Sequence, residues 1–481
     1  MPRDIKKKAV SSVIWTIGER VSSLGIQFVS GIILARLLSP SDYGCIGMIV
    51  IFTSISNVFI SGGLGSALIQ KKETTQSDYS TVFYWNLAVS LLCYFVLYVS
   101  APSIAEFYRM PILSSVLRVQ SLIIVIGALT VVQINLLKRQ LKFRKISIVN
   151  MIAAIVSLSI TILMAYNGYG VWALVAQYIS MALIPMLLYW TTNKWFPSLI
   201  FSVKSFKELF GFGVFMMFTQ LINNIGRNIE GLLIGRFYNA STLGIYTKGK
   251  SLEGIAMTGV SEALNQVTYP LYSQYQDNRQ ELCRLIKVFT LTVSVVMMPF
   301  AFVLILTAKP LFLILYSEKW LGSVFYFQVL CLSGIAVSMQ GINSLAIAAI
   351  GKSKKMMNYT LGKRIVSITL LLLGLYFGGI NGLLIAVVLE SYISYFINGY
   401  LVSKYIGYTL HEQVKNLLPI LMVAALSFIP SFCLLQTLQY DIYSSAFLAV
   451  VLYLLLFLAM GMTFKIDAFK YAKQVILSFR K

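Results

Sequence analysis

Seven basic side chains lie within or at the ends of long apolar runs of this sequence, where charge is costly. They are Arg20, Arg36, Arg118, Arg227, Arg236, Lys248 and Lys250. An ionised group near the centre of a bilayer costs about 2.5–3.5 kcal/mol, so such side chains usually face a protein interior or a wet cavity. A guanidinium placed there can donate paired, charge-assisted hydrogen bonds to an anionic oxygen group. These cations are therefore the first candidates for a binding site.

Neutral and acidic polar side chains share helical faces with several of these cations. In the run 209–238 they recur at steps of three or four residues, which places them on one face of a helix. That stripe consists of Gln220, Asn223, Asn224, Arg227 and Glu230. The first apolar run has a similar stripe containing Glu19, Arg20 and Gln27, and the run 243–274 has one containing Ser261 and Glu262. A weaker stripe of Ser54, Asn57 and Ser61 occurs in the second run.

One short segment occurs twice in the sequence. "GIILARLLSPSDYG" begins at Gly31, and "GLLIGRFYNASTLG" begins two hundred residues later at Gly231. Arg36 corresponds to Arg236, and Gly44 corresponds to Gly244. A cation followed by a tight turn at one fixed spacing predicts that the chain is built from two related halves.

The composition is that of a membrane protein. Hydrophobic residues are 58% of the chain and charged residues 12%, against about 25% charged residues in a soluble domain. Apolar runs long enough to cross a bilayer as helices, about 20 residues, recur fourteen times. Their predicted spans are 9–37, 43–68, 79–100, 114–137, 146–166, 170–191, 209–238, 243–274, 285–308, 322–350, 358–376, 382–404, 415–436 and 442–464.

The excess of 39 Lys and Arg over 17 Asp and Glu is a topology signal. Most cations lie in alternate connections, such as "KRQLKFRK" at 138–145 and "KSKK" at 352–355. The positive-inside bias makes that side cytoplasmic and places both termini there, as an even number of spans requires. The positive-inside bias explains the excess of basic residues, so binding to nucleic acid is not needed to explain it. The sequence predicts no metal site and no cofactor.

The polar stripes fall on spans 1, 2, 7 and 8, which are corresponding members of two six-span halves. Because six is even, both halves enter the membrane from the same side and the repeats are parallel. Transporters built from repeats place their substrate between them. The predicted fold is therefore all-α, with lobes 1–205 and 206–408 around a central cavity and two further helices with a basic tail in 409–481.

The segments "LARLLSPSDYGCIGMI" and "LIQKKE", the latter at 68–73, resemble the Wzx-type polysaccharide exporters of the multidrug/oligosaccharidyl-lipid/polysaccharide flippase superfamily. The resemblance extends over the whole chain in length, span number and loop pattern. It implies a transporter of the bacterial cytoplasmic membrane that flips an undecaprenyl-diphosphate-linked oligosaccharide to the outer leaflet for lipopolysaccharide, capsule or exopolysaccharide synthesis. It also implies partners in the same pathway, a polysaccharide polymerase and glycosyltransferases.

Given that substrate, cavity cations would bind the diphosphate and the amides would bind sugar hydroxyls. The predicted substrate-binding residues are Arg20, Arg36, Arg227, Arg236, Lys248, Lys250, Gln27, Gln220, Asn223 and Asn224. The candidates for coupling to an ion are Glu19, Glu230, Glu253 and Glu262.

Structural alternatives stay open for each of these cations. Arg36 and Arg236 can cap helix C-termini, and Lys248 and Lys250 can meet lipid headgroups. Arg20 and Arg227 can pair with neighbouring glutamates. Two rival functions are a drug/cation antiporter of the same superfamily, which should place unpaired carboxylates in its cavity, and a membrane polymerase, which usually has a large catalytic outer loop. In the predicted spans the seven cations outnumber the carboxylates, and the longest predicted outer connection has about a dozen residues and no paired acids.

Overall fold

The computed structural model describes residues 18, 22, 24–61, 64–71, 73–438, 441–464 and 469. Across those residues the regular elements are helices, and no strand occurs. In chain order the α-helices are α1 Leu24–Leu37, α2 Pro40–Ser61, α3 Leu64–Gln70, α4 Gln76–Phe107, α5 Ile112–Gln120, α6 Leu122–Arg139, α7 Phe143–Tyr166, α8 Val171–Thr192, α9 Val203–Phe237, α10 Ala240–Glu253, α11 Gly259–Gln274, α12 Arg279–Leu315, α13 Ser323–Ala349, α14 Ser353–Tyr405, α15 Leu410–Thr437 and α16 Ile442–Thr463. A single π-helical segment, Gly254–Thr258, joins α10 to α11.

Ten segments of the described chain are long and apolar enough to cross a membrane. The chain is thus a multi-pass membrane protein, while the predicted number of fourteen spans and the side of the termini stay predictions. One of the ten, Tyr359–Tyr405, contains non-helical backbone at Gly379 and so joins two predicted spans. The helix α9 is not among the ten, but its 35 residues extend roughly 50 Å, more than the hydrocarbon thickness of about 30 Å.

The described chain separates into two compact units, 1–247 and 248–481. In the first unit α2 packs along α9, α6 packs on α4 and α8, and α7 packs on α8. Its apolar core includes Leu68, Val82 and Val132, with Trp190 and Trp195 packed against them. These contacts hold α9, the helix with the longest polar stripe, beside α2. The boundary between two lobes after residue 205 stays a prediction.

In the second unit α13 occupies the central position. It packs on α11, α12 and α14, and α12 also packs on the α15–α16 pair. Phe312 of α12 meets Phe327 of α13 edge to face, with 5.6 Å between ring centroids, and both side chains are fully buried. The central helix of this unit is therefore apolar on most of its surface.

A tight hairpin within α14 brings Gly374 and Gly382 into contact. A Cβ atom on Gly374 would lie 2.4 Å from the Gly382 carbonyl oxygen, and one on Gly382 would lie 2.0 Å from the Gly374 carbonyl oxygen. Between them Gly379 has φ 56° and ψ −139°, a region that favours glycine. The glycines of "YFGGING" thus allow the two halves of α14 to pack backbone to backbone.

The "LIQKKE" segment forms an ion-pair cluster at one end of the first unit. The Lys71 ammonium lies 3.0 Å from Asp78 and 3.1 Å from Glu208. The Arg139 guanidinium donates to the carbonyls of Leu68 and Lys71. The hydrogen bond to Asp78, together with the Glu208 carboxylate, raises the pKa of Lys71 above its ordinary value. The cluster therefore ties the loop before α4 to the first turns of α4 and α9.

Candidate functional site

The polar stripe predicted for the seventh span lies on α9. The helix begins after Ser202, whose hydroxyl accepts a hydrogen bond from the Ser205 amide and so caps the N-terminus. Gln220, Asn223 and Asn224 are each half-buried. The Asn224 side chain donates to the Gln220 carbonyl at 3.0 Å. The structure thus brings these three predicted residues together on one helix.

Arg227 is the charged member of this stripe, and its side chain is exposed. It lies ten residues before the end of α9 at Phe237, which corresponds to about 15 Å along the helix axis. That depth is close to half the thickness of a hydrocarbon core. A guanidinium at such a depth that is not covered by protein is stable only where water can reach it. The position is therefore suited to an aqueous cavity and an anionic ligand.

Asn228 belongs to the same site and was missed by the sequence analysis. Its side chain donates to the Asn224 carbonyl at 2.8 Å and to the Ser54 hydroxyl at 3.3 Å. Ser54 is on α2 and had been assigned to the weak stripe of the second span. The two stripes therefore meet where α2 crosses α9. The four-residue step from Asn224 to Asn228 was the signal that could have identified it.

Glu230 is held by a residue of the next helix. The phenol of Tyr246 on α10 donates a hydrogen bond to the Glu230 carboxylate, and Tyr246 is only 2% exposed. The sequence had suggested Arg227 as the nearest partner of this carboxylate. The structure adds a buried donor from α10, the helix that begins within the second copy of the repeat.

The two copies of the repeated turn pack against each other through their glycines. A Cβ atom on Gly44 would lie 1.7 Å from the Ala240 carbonyl oxygen, and one on Gly244 would lie 1.8 Å from the Pro40 carbonyl oxygen. Pro40 and Ala240 are also two hundred residues apart and begin α2 and α10. The contact is reciprocal, as it is when a two-fold rotation relates two surfaces.

The repeated arginines lie at helix ends, as the sequence predicts. Arg236 is in the last turn of α9, where it donates to the Phe107 carbonyl and lies 4.6 Å from the centroid of the Phe107 ring. Arg36 is exposed at the end of α1. The contacts of Arg236 fix its guanidinium against the end of α4.

The basic residues after the second turn have a different environment. Lys248 is 4% exposed, and its ammonium lies 4.2 Å from the centroid of the Tyr316 ring and 5.5 Å from that of Trp320. Lys250 is half-buried. Aromatic rings of the second unit thus enclose Lys248. Its ammonium lies among protein side chains and not among lipid headgroups.

Glu253 is buried directly before the π-helical segment. It is 8% exposed, and a Cβ atom on Gly334 of α13 would lie 2.8 Å from its Oε1 atom. Single π-helical turns inside α-helices occur often at functional sites. Glu253 therefore keeps its place as a candidate for ion coupling.

The remaining predicted site residues are only partly described. Gln27 is exposed on α1, close to Ser30, whose hydroxyl accepts a hydrogen bond from Gln177 of α8. Glu19 and Arg20 lie outside the described residues, and for Glu262 only the backbone is described. In the part of the chain that the structure describes, no three His, Cys, Asp or Glu side chains are grouped as metal ligands.

Comparison with known proteins finds one family and several relatives of this chain. Residues 33–325 match a family described as "Polysaccharide biosynthesis protein". Teichuronic acid biosynthesis protein TuaB of Bacillus subtilis is 25% identical over 351 residues, 73% of each chain. Succinoglycan biosynthesis transport protein ExoT of Rhizobium meliloti is 27% identical over 314 residues, 65% of this chain and 64% of that protein.

A solved structure is similar over nearly the whole chain. The lipid II flippase MurJ in an inward closed conformation matches with a TM-score of 0.74 and 16% sequence identity, over 95% of this chain and 99% of that one. At this identity the similarity concerns the fold alone.

Proposed function

Because the chain belongs to the polysaccharide biosynthesis protein family, and one relative is named a succinoglycan biosynthesis transport protein, we propose that it is a transporter and not an enzyme, and that it flips a polyprenyl-diphosphate-linked oligosaccharide. The substrate moves from the cytoplasmic to the outer leaflet by alternating access. The glycan then enters a lipopolysaccharide, capsule or exopolysaccharide made by glycosyltransferases and a polymerase of the same pathway. The membrane is the bacterial cytoplasmic membrane, and both termini are on its cytoplasmic side.

The observation that carries this proposal is the exposed side chain of Arg227, ten residues before the end of α9. Its planar fork suits a diphosphate, since two parallel N–H groups can bind two phosphate oxygens. The amides of Asn223 and Asn224 beside it suit sugar hydroxyls, because an amide both donates and accepts hydrogen bonds. The lipid tail can stay in hydrocarbon while the headgroup crosses.

The membrane potential favours the proposed direction. The cytoplasm is negative, so moving about two negative charges outward across the whole field releases roughly 2 × 2.3 kcal/mol per 100 mV. This contribution requires no bound ion. The carboxylates of Glu230 and Glu253 are the described candidates for any additional coupling to H⁺ or Na⁺.

Variants of Arg227 test the proposal in cells that depend on this transporter for their surface glycan. Arg227→Ala should lower export about tenfold or more, because a hydrogen bond to a charged group contributes about 1.5–3 kcal/mol. Arg227→Lys should recover only part of the export, since an ammonium keeps the charge and loses the fork. Surface glycan and the amount of folded protein in the membrane are measured for each variant.

The matched control is Arg118→Ala. Arg118 is a half-buried arginine of α5, and it donates to the Tyr98 carbonyl and lies 4.5 Å from the centroid of the Tyr98 ring. This control should export normally. Normal export from Arg227→Ala at normal abundance would disprove the binding role, and so would recovery of export in a variant that lacks both Arg227 and Glu230.

A further inference from the structure

A second polar cavity lies within the first unit, away from Arg227. Its volume is about 570 Å³, within the range of about 300–1,000 Å³ typical of small-molecule sites. It is lined by the ends of α4 and α9 and by the first turns of α2 and α10. The charges of the loops predict that this end of the helices is outside.

Two arginines line this cavity, Arg109 and Arg236. The guanidinium of Arg236 is held by the Phe107 carbonyl and lies over the Phe107 ring. These contacts use one edge and one face of the group. A guanidinium has five N–H donors, so most of the donors of Arg236 are not needed for the bond to Phe107. Arg109 is exposed at the cavity.

The backbone of Arg109 is in a conformation that favours glycine. Its φ angle is 55°, and it follows the C-terminus of α4, where its amide donates to the Glu106 carbonyl and the Met110 amide donates to the Ala105 carbonyl. Glycine is the usual residue at such a helix end, because it has no Cβ atom to clash. The strain points to a role for the arginine side chain.

Tyr108 forms part of the cavity wall. The residue is 6% exposed, and its hydroxyl is buried and has no hydrogen-bond partner among the described residues. Burial raises the pKa of Tyr108 to about 12, so the side chain stays uncharged at pH 7 and would not repel an anion. A ligand in the cavity would meet the wall that Tyr108 forms and not its buried hydroxyl.

The first turn of α10 completes the cavity. Asn239, Ala240 and Ser241 line it, and the Asn239 side chain caps the helix by accepting from the Thr242 amide at 2.8 Å. The amides at a helix N-terminus carry partial positive charge and attract phosphate groups. The two arginines and the helix end are all donors, and no carboxylate lines the cavity among the described residues.

We propose that this cavity binds a phosphate group, held by Arg109 and Arg236 and by the amides at the N-terminus of α10. Three sources share this chemistry: a lipid-linked diphosphate leaving the transporter, a phospholipid headgroup, and free phosphate. The place of the site in transport rests on the proposed function. Binding itself does not, because it is also measured on purified protein that carries Arg227→Ala, in which the diphosphate site proposed on α9 is removed.

The test uses the purified full-length protein in phosphatidylcholine nanodiscs, with inorganic diphosphate as the first probe. Wild-type protein should bind it saturably. Arg109→Gly should weaken binding at least tenfold, while the melting temperature without ligand stays the same or rises, because glycine relieves the backbone strain. The control Arg118→Gln should bind as wild type.

Three further probes identify the source. Tighter binding of geranylgeranyl diphosphate than of inorganic diphosphate assigns the site to a lipid-linked diphosphate. Equal affinities assign it to free phosphate, and competition by added phosphatidylglycerol assigns it to a membrane lipid. Tighter binding of glucuronate than of diphosphate would overturn the proposal in favour of a carboxylate site. No saturable binding, or wild-type affinity in Arg109→Gly, would overturn it as well.

Discussion

Gly44 and Gly244 occupy equivalent places on either side of one helix crossing. Each glycine lies against the first residue of the other helix, so that a Cβ atom on either would lie less than 2 Å from a backbone carbonyl oxygen. This contact explains why the sequence contains the same turn twice. The two copies pack on each other, and each requires the other to have glycine.

Alanine at either glycine should therefore destabilise the first unit. A backbone carbonyl cannot move aside as a flexible side chain can, so Gly44→Ala and Gly244→Ala should each lower the free energy of unfolding by about 1–3 kcal/mol or more. Both variants should have similar effects, because the contact is reciprocal. Thermal unfolding of the purified protein, followed by intrinsic fluorescence, measures the loss.

The matched control is Gly211→Ala in α9, where a Cβ atom would have no neighbour within 4 Å. Alanine is the better helix former there, by up to about 1 kcal/mol, so this variant should unfold at the same temperature as wild type or higher. Wild-type stability in Gly44→Ala would show that the crossing is looser than described.

Labelling of single cysteines tests the predicted orientation. Tyr169 and Tyr376 are exposed beside the connections predicted to be outside, while Gln140 and Asp277 are exposed in loops predicted to be cytoplasmic. In a background without the native cysteines, Tyr169→Cys and Tyr376→Cys should react with an impermeant maleimide on intact cells. Gln140→Cys and Asp277→Cys should react only after permeabilisation. The reverse pattern would reverse the proposed direction of transport.

The bond from Tyr246 to Glu230 should contribute to stability. Tyr246→Phe should lower the free energy of unfolding by about 1.5–3 kcal/mol, as expected for a hydrogen bond to a charged group. In a variant that already has Glu230→Ala, the same change should cost much less, because the acceptor is gone. Unfolding of the two single variants and the double variant gives this coupling directly.

Tyr272→Phe is the matched control for Tyr246→Phe. Its hydroxyl is buried and has no partner among the described residues, so its removal should leave stability unchanged or raise it. Equal losses in Tyr246→Phe and Tyr272→Phe would mean that the ring environment, and not the bond to Glu230, determines the effect.

The ion pairs of Lys71 should make stability depend on pH in one direction. The folded state raises the pKa of this ammonium, so its contribution is complete below the ordinary lysine pKa of about 10.4 and disappears as pH rises through the folded value. Wild type should melt about 2–4 °C above Lys71→Met between pH 7 and 9. The difference should decrease above about pH 10.4.

Lys142→Met serves as the control, because Lys142 is an exposed lysine of a neighbouring loop. It should melt at the wild-type temperature across the same range. A difference between wild type and Lys71→Met that grows with rising pH would contradict the assignment of the raised pKa to the carboxylates of Asp78 and Glu208.

The sequence by itself determined the class of the protein and the location of its polar stripes. Apolar runs long enough to cross a bilayer must form helices. Hydrocarbon offers no hydrogen-bond partners for the backbone groups that a single strand would leave unpaired. The spacing from Gln220 to Glu230 places these residues on one face of a helix, because the period of a helix is a local property. The family match confirms the resemblance inferred from the segments around Arg36 and Lys71.

The tertiary structure decided which of these residues meet. Lys248 is enclosed by Tyr316 and Trp320, which lie outside its own helix. Asn228 of α9 forms a hydrogen bond with Ser54 of α2. Arg109 lies in a loop and is not among the predicted site residues, yet it lines the same cavity as Arg236. Such contacts depend on how distant helices dock, and that is determined by the packing of many apolar side chains together. No local pattern in the sequence encodes that packing, so these contacts became visible only in the folded chain.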